Sequence, residues 1–287
     1  MAALDPIEAT VKQAARRARA AVRRLAAPLP RAGYQEQRVG APLVERLSDD
    51  DLDRLNGLLP WVCFTVDGRG RRFGDAAWTG KREDPQPIPD RRVVLMDERL
   101  GLQGSHVLEI GCFEGVHTIA LCQRAGRVTA VDARIDNVVK TIVRCAFHGW
   151  SPEVFTCDIE APAAPAELAA VGADFVHHVG VLYHLRDPVS HVRALGAVAA
   201  KGLMLDTHVA PPDRATDELV VDGERFRYMR YAEGGRTEVF SGMYDHAKWL
   251  PLGTLTGLLT DAGFTTVDVV EERAERNGPR VLVLASR

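Results

Sequence analysis

Val107-Leu108-Glu109-Ile110-Gly111-Cys112-Phe113-Glu114-Gly115 is an apolar strand that ends in glycines and hands over directly to a helical pattern beginning at Val116. Ligands of doubly wound sheets bind at such a strand-to-helix turn. Gly111 and Gly115 allow a tight turn and close backbone approach, and the helix start offers free amides to a carboxylate or phosphate. A nucleotide-like ligand is expected there. A dinucleotide fingerprint would need Gly-x-Gly-x-x-Gly, but Phe113 and Val116 hold the second and third glycine places. Those side chains obstruct a pyrophosphate and leave room for a smaller amino-acid moiety beside the turn.

Outward from this turn, short β-type runs alternate with helical patterns. The strands expected are 106–111, 127–132, 153–158, 174–181 and 202–209, with helices such as 116–125 and 137–147 between them. Continuous apolar strands separated by helices imply an α/β, Rossmann-like doubly wound parallel sheet covered on both faces. The rhythm changes at the end. After a helix over 252–262 and the stop signal Gly263, two β runs, 264–270 and 280–285, flank Asn277-Gly278, which makes the last strand antiparallel to its neighbour.

Two acids extend the ligand site. Asp132 ends the second strand 21 residues after Gly111, where a carboxylate accepts both ribose hydroxyls. Asp158 ends the third strand, where it could take an adenine amino group while Ile159 packs on the ring. Singly, each acid is as well explained by a helix cap or a solvated turn. Their order and spacing together point to one ligand.

Val107 to Gly115, Val131-Asp132, Cys157-Asp158-Ile159 and Gly180-Val-Leu-Tyr-His184 together resemble the class I S-adenosylmethionine methyltransferases over the last two-thirds of the chain. The resemblance implies a seven-stranded sheet with a reversed final strand and S-adenosylmethionine as cofactor. It places Glu109, Gly111 and Gly115 beside the methionine part, Asp132 at the ribose, and Asp158 with Ile159 at the adenine. Cys112, Phe113, Ala133 and Gly180 complete the expected cofactor set. The commonest turn in that superfamily is Gly-x-Gly-x-Gly, so Phe113 is expected to reshape the pocket locally.

A narrower similarity links Gly180-Val-Leu-Tyr-His-Leu-Arg-Asp-Pro188 and Val221-Asp-Gly-Glu-Arg-Phe-Arg-Tyr-Met-Arg230 to the carboxymethyltransferases of tRNA wobble uridine. That family uses a carboxylated cofactor held partly by a lysine in a segment before the Rossmann-like domain. Trp78-Thr-Gly-Lys81 lies in that region with a different local pattern.

Methyl transfer asks the protein to align a nucleophile and remove its proton. Tyr183 and His184 beyond the fourth strand, and Asp206 and His208 at the end of the fifth, are the expected catalytic groups, with His184 first. Each is equally well read as a cap or a backbone hydrogen-bonding partner. His177 and His178 alternate across a strand and are expected on opposite faces. No ligand spacing demands a metal, although Asp206, His208 and His184 could converge.

Segment 211–249 is a long insertion at the ligand edge, expected to cap the substrate. Its Arg225, Arg227, Tyr228, Arg230, Tyr231, Arg236 and Tyr244 could meet an anionic or aromatic group, or form a solvated surface.

Residues 1–95 read as an N-terminal extension, followed by a methyltransferase domain over 96–287 with the insertion at about 210–249. The extension holds a basic amphipathic helix over 11–25, a short helix over 50–59 capped by Ser48 or Asp49, and a β-hairpin within 61–74. A proline-rich lid or linker over 79–92 then leads into a helix near 93–100.

The chain has 287 residues, 46% apolar and 26% charged, with a net charge of −3, so nothing overall drives it toward polyanions. Five scattered cysteines imply neither a disulfide framework nor a zinc knuckle. No apolar run approaches the ~20 residues needed to cross a bilayer, and no signal peptide is apparent, so a cytoplasmic protein is expected. A small-molecule O- or N-methyltransferase is the first reading. A tRNA-modifying enzyme is the second, and a non-catalytic adenosylmethionine-binding protein the third. Pairing into a homodimer is left open by the sequence.

Overall fold

Residues 42–74 and 83–287 are described by the computed structural model. The expected basic helix at 11–25 and the Trp78–Arg82 loop lie outside these residues. After a helical turn at Leu43–Arg46, helix α1 (Asp49–Leu58) starts under Ser48, whose Oγ accepts the Asp51 N–H at 3.1 Å. The expected hairpin forms over only two residues a side, β1 (Thr65–Val66) and β2 (Arg72–Phe73), and Asp67 holds the turn by accepting the Arg69 and Arg71 amides. The preceding 61–64 run does not extend the ladder, because its amides are used elsewhere. Val62 and Cys63 N–H donate to the Glu114 carboxylate in the glycine turn. Helix α2 (Arg91–Leu100) begins two residues earlier than expected, because Asp90 caps it through the Arg92 amide.

The remaining elements are β3 (His106–Ile110), α3 (Val116–Cys122), β4 (Arg127–Asp132), α4 (Ile135–Phe147), β5 (Glu153–Thr156), α5 (Ala164–Val171), β6 (Ala173–Val179), α6 (Pro188–Val198), β7 (Ala199–His208), β8 (Asp217–Val221), β9 (Glu224–Ala232), β10 (His246–Trp249), α7 (Leu252–Asp261), β11 (Thr266–Glu275) and β12 (Gly278–Ser286). One seven-stranded sheet runs β11-β12-β7-β6-β3-β4-β5. β3 to β7 are mutually parallel, and β12 runs antiparallel between β7 and β11, as the sequence predicts.

β3 lies inside this sheet between β6 and β4, and all five of its residues are buried. Its alternate side chains feed two cores. Leu108 and Ile110 join Leu168, Leu195 and Leu258 on one face, and Val107 joins Val93, Met96 and Leu121 on the other. The chain leaves β3 toward β4 and β5, then returns to its other side as β6. This reversal opens the crevice where doubly wound sheets take ligands.

The insertion is not an irregular loop. β8, β9 and β10 form a separate antiparallel sheet. Its first turn, Val221-Asp222-Gly223-Glu224, has φ of 51° and 83° at the central pair, as a two-residue hairpin with primed geometry requires. Asp222-Gly223 between Val220-Val221 and the aromatic-containing run at 224–232 was the available signal for it.

Arg144 of α4 fastens the hairpin segment to the glycine turn. Its guanidinium is fully buried and donates to Glu114 O at 2.7 Å and to Phe73 O and Cys63 O at 3.0 Å each, while lying over the Trp61 and Phe73 rings. Removing one member of a buried charge network typically destabilises by about 3–5 kcal/mol, because the others are left unpaired. Lys140 still reaches Glu114 at 2.8 Å, so the lower end applies here. Arg144→Met is expected to lose about 3 kcal/mol, a drop in Tm of roughly 6–12 °C by calorimetry for a domain of this size. A change under 2 °C would show that the network contributes nothing.

His148 stacks on Phe73 at 5.9 Å, and its burial, with Arg144 adding, pushes its pKa down to about 4. The unfolded chain, with a histidine pKa near 6.5, therefore binds more protons than the folded one between pH about 6.5 and about 4. This contribution is intact above pH about 6.5 and is lost as the pH falls toward 4. Tm is expected to decline over that window, and less steeply in His148→Phe. Equal slopes in the two proteins would assign the decline to other groups.

Candidate active site

The glycine turn is built so that only its own residues fit. Gly111 has φ of 82°, and a Cβ there would sit 2.2 Å from Val181 Cγ2. Gly115 has φ of 80°, and its Cβ would meet the α4 backbone at Thr141 at 3.0 Å. Between them Phe113 holds the left-handed region at φ 50°, which is strained for a bulky residue. The strain is held by its own backbone: Phe113 N–H donates to Asp132 Oδ2 at 3.1 Å, and its carbonyl accepts from Thr141 Oγ1 at 3.2 Å. The ring packs on Phe240 of the insertion, with centroids 5.6 Å apart. This is how Phe113 reshapes the turn.

A cavity opens against this turn, at the carboxyl ends of β3, β4 and β6. Glu109, Gly111, Cys112, Phe113, Asp132 and Ala133 line it on the side of the first two strands. Asp158, Ile159, Gly180, Tyr183 and His184 line it beyond β5 and β6. Of the expected cofactor residues, Gly115 alone lies behind the lining, at the start of α3.

Asp132 is nearly buried and is aimed by three donors, the amides of Phe113 and Arg134 and the Asn137 side chain, at 3.1, 2.9 and 3.0 Å. Burial nevertheless raises its pKa. A hydroxyl pair entering from the cavity would relieve that desolvation. Glu109 is fully buried, accepts from Thr118 Oγ1, and is pushed up to about 8 by burial, with Asp132 adding.

The four expected catalytic residues do not converge. Asp206 is wholly buried and committed to ion pairs, with Arg273 at 2.6 Å and with Arg280, while Arg92 lies at 3.9 Å. It does not line the cavity, and both of its oxygens are engaged by guanidinium groups. His208 stacks on Trp249 with centroids 4.7 Å apart, its Nδ1 donates to Pro279 O at 3.1 Å, and it too lies outside the lining. Tyr183 stands between it and His184, so the predicted convergence of Asp206, His208 and His184 fails. The strand end alone could not reveal which way these side chains are drawn by partners on β11 and β12.

His184 faces the cavity with an orienting partner. Its Nδ1 lies 2.7 Å from Glu233 Oε1, at the end of β9, which leaves Nε2 to accept a proton. Burial alone would raise the pKa of Glu233, but hydrogen bonds from His184, Ser241 Oγ and the Gly242 amide outweigh it and lower the pKa. Glu233 was not a sequence candidate, since nothing local marks it and it reaches the site only through the folded insertion.

The insertion also roofs the cavity. Val239, Phe240, Ser241, Gly242 and Met243 line it, and Arg134 NH2 holds this segment through Ser241 O at 2.9 Å and Glu238 O at 3.0 Å. The insertion arginines and tyrosines expected to meet a ligand do not line it. Arg225 pairs with Glu218, Tyr231 stacks on Trp249, and Tyr244 lies under Arg186. The cations that do line the cavity are Arg92, Arg134 and Arg280. From the N-terminal side, Cys63 and Gln86 complete it.

A methyltransferase domain family model matches residues 12–269 of the chain. A tRNA U34 carboxymethyltransferase of Ectopseudomonas mendocina is 29% identical over 181 residues, covering 61% of this chain and 51% of that protein. The enzyme of the same name from Methylococcus capsulatus is 31% identical over 225 residues, covering 76% of this chain and 59% of its own length. The chain thus spans between half and three-fifths of the length of these relatives. Among solved structures, the N-terminal domain of EvdMO1 in the presence of SAH and D-fucose has the same fold, with a TM-score of 0.67 and 24% identity over 84% of this chain and 97% of that one.

Proposed function

The chain belongs to the methyltransferase domain family, and from that premise we propose that the cavity takes S-adenosylmethionine and moves its methyl group to an oxygen or nitrogen nucleophile of a small molecule. The observation that carries this reading is the His184–Glu233 pair, whose imidazole lines the same cavity as Gly111 and Asp132.

The residues present fit the cofactor. Asp132 would hold the ribose hydroxyls, Asp158 and Ile159 the adenine, and the turn from Glu109 to Phe113 the methionine end. When bound, the sulfonium supplies an activated methyl carbon and departs as a neutral thioether. His184 Nε2 takes the proton of the attacking O–H or N–H as the carbon–sulfur bond gives way to the new bond. Glu233 stabilises the resulting imidazolium and fixes its orientation. Residues 239–243 cover part of the cavity, which favours an acceptor small enough to fit beneath them.

A second reading, transfer of a carboxymethyl group to tRNA, has two observations in its favour. The curated relatives bear that name, and Arg92 and Arg280 line the cavity, where an added carboxylate would find a cation. Among the described residues no helix is long and apolar enough to cross a membrane.

Calorimetric titration with S-adenosylmethionine and with its carboxylated form separates the two. Tight binding of the ordinary cofactor is expected. A clear preference for the carboxylated form would promote the tRNA reading, and binding of neither would overturn the cofactor assignment.

A further inference from the structure

Glu109 of β3 and His177 of β6 are direct neighbours in the parallel register, so their side chains leave the sheet side by side. His177 Nδ1 lies 4.0 Å from Glu109 Oε1. His117, on the first turn of α3, brings its ring against His177 edge to face, with centroids 5.1 Å apart. One ligand atom from each of the three lies within 4.8 Å of the others.

His177 is 1% exposed, and among the described residues neither ring nitrogen has a hydrogen-bond partner. An imidazole buried in that state is costly, because each polar atom given up by water normally finds a replacement. Nothing in the proposed proton transfer uses it. Its neighbour Glu109 is a fully buried carboxylate whose hydrogen-bonding partner is the Thr118 hydroxyl. Two imidazoles and one carboxylate, of which Glu109 and His117 line the cavity and His177 lies behind them, form a recognised donor set for first-row divalent ions, and it is too rich in nitrogen for magnesium or calcium.

We propose that Glu109, His117 and His177 bind one divalent transition-metal ion beside the cavity wall that Glu109 and His117 form, with its remaining coordination positions toward the cavity.

The surroundings are compatible with the added charge. Asp90 Oδ2 lies 3.4 Å from His117 Nε2, the outer carboxylate that commonly orients a ligating histidine. The nearby cation, Arg92, has NH2 3.1 Å from the same nitrogen and is itself paired with Asp90, so the two offset each other. Asp132 adds further negative potential at Glu109. Ligand atoms around a four- or six-coordinate ion stand roughly 3–3.5 Å apart given bonds near 2.1 Å, so binding draws the three side chains together by about 1 Å. The set comes from three separate elements, which is why no spacing in the chain announces it.

The test uses the full chain, stripped with chelator and titrated with Co²⁺ as a spectroscopic probe and with Zn²⁺ by calorimetry. One ion per chain is expected, with visible cobalt bands of a low-coordinate N/O site. Both His177→Gln and the half-buried His117→Ala should weaken binding by at least the roughly 10–100-fold that outer-ligand changes produce in metal sites. His117→Ala provides the comparison if His177→Gln fails to fold, as judged by circular dichroism. Absence of stoichiometric binding, or equal affinity in folded wild type and His117→Ala, overturns the proposal. S-adenosylhomocysteine titrated into the metal-free protein reads the cofactor assignment separately, so either can fail without the other.

Discussion

Asp132→Ala is expected to weaken S-adenosylmethionine binding by about a hundred-fold or more in calorimetric titration. A carboxylate accepting two ribose hydroxyls makes two charge-assisted hydrogen bonds, each contributing roughly 1.5–3 kcal/mol, and a factor of ten is about 1.4 kcal/mol. The side chain is already aimed by Phe113 N, Arg134 N and Asn137, so little ordering is needed when the ligand arrives. Its removal also frees the strained Phe113 amide, which adds to the loss. Asp132→Asn should retain more affinity than alanine, since its carbonyl oxygen can still accept. An alanine variant that binds as wild type would move the ribose elsewhere and take the cofactor placement with it.

His184→Ala is expected to lower turnover by about 10²–10⁴-fold, the usual range for removal of a general base. Affinity for the cofactor should hardly change, because Asp132, Asp158 and the glycine turn are untouched. Glu233→Gln should fall less, by about ten-fold, since the imidazole keeps a partner but loses the charge that favours its protonated form. The measurement is the rate of S-adenosylhomocysteine release with an accepted substrate. Equal rates in wild type and His184→Ala would show that the acceptor loses its proton to solvent and that the pair merely positions the roof.

Much of this was legible in the chain before its fold was known. Strand–helix alternation, a glycine turn with Phe113 in place of glycine, and acids at 132 and 158 depend on local chemistry, and local chemistry is written in the sequence. The same holds for the reversed last strand, which Asn277-Gly278 announces. The catalytic side was less legible. Asp206 and His208 end the right strand, yet Arg273, Arg280 and Pro279 on β11 and β12 claim them. Glu233, Arg92 and Arg280 reach the site only through tertiary packing, and no spacing rule spans those separations. The insertion was underestimated because arginine and tyrosine drew more weight than Asp222-Gly223, which turns one hairpin of a small sheet.

Arg134 follows Asp132 by two residues, and its guanidinium grips the backbone that carries Ser241 and Gly242, the donors to Glu233. The carboxylate proposed for the ribose and the pair proposed to accept the proton are therefore tied together through one residue. Loss of the Arg134 contacts would release the Ser241–Gly242 segment and with it two of the hydrogen bonds that orient Glu233.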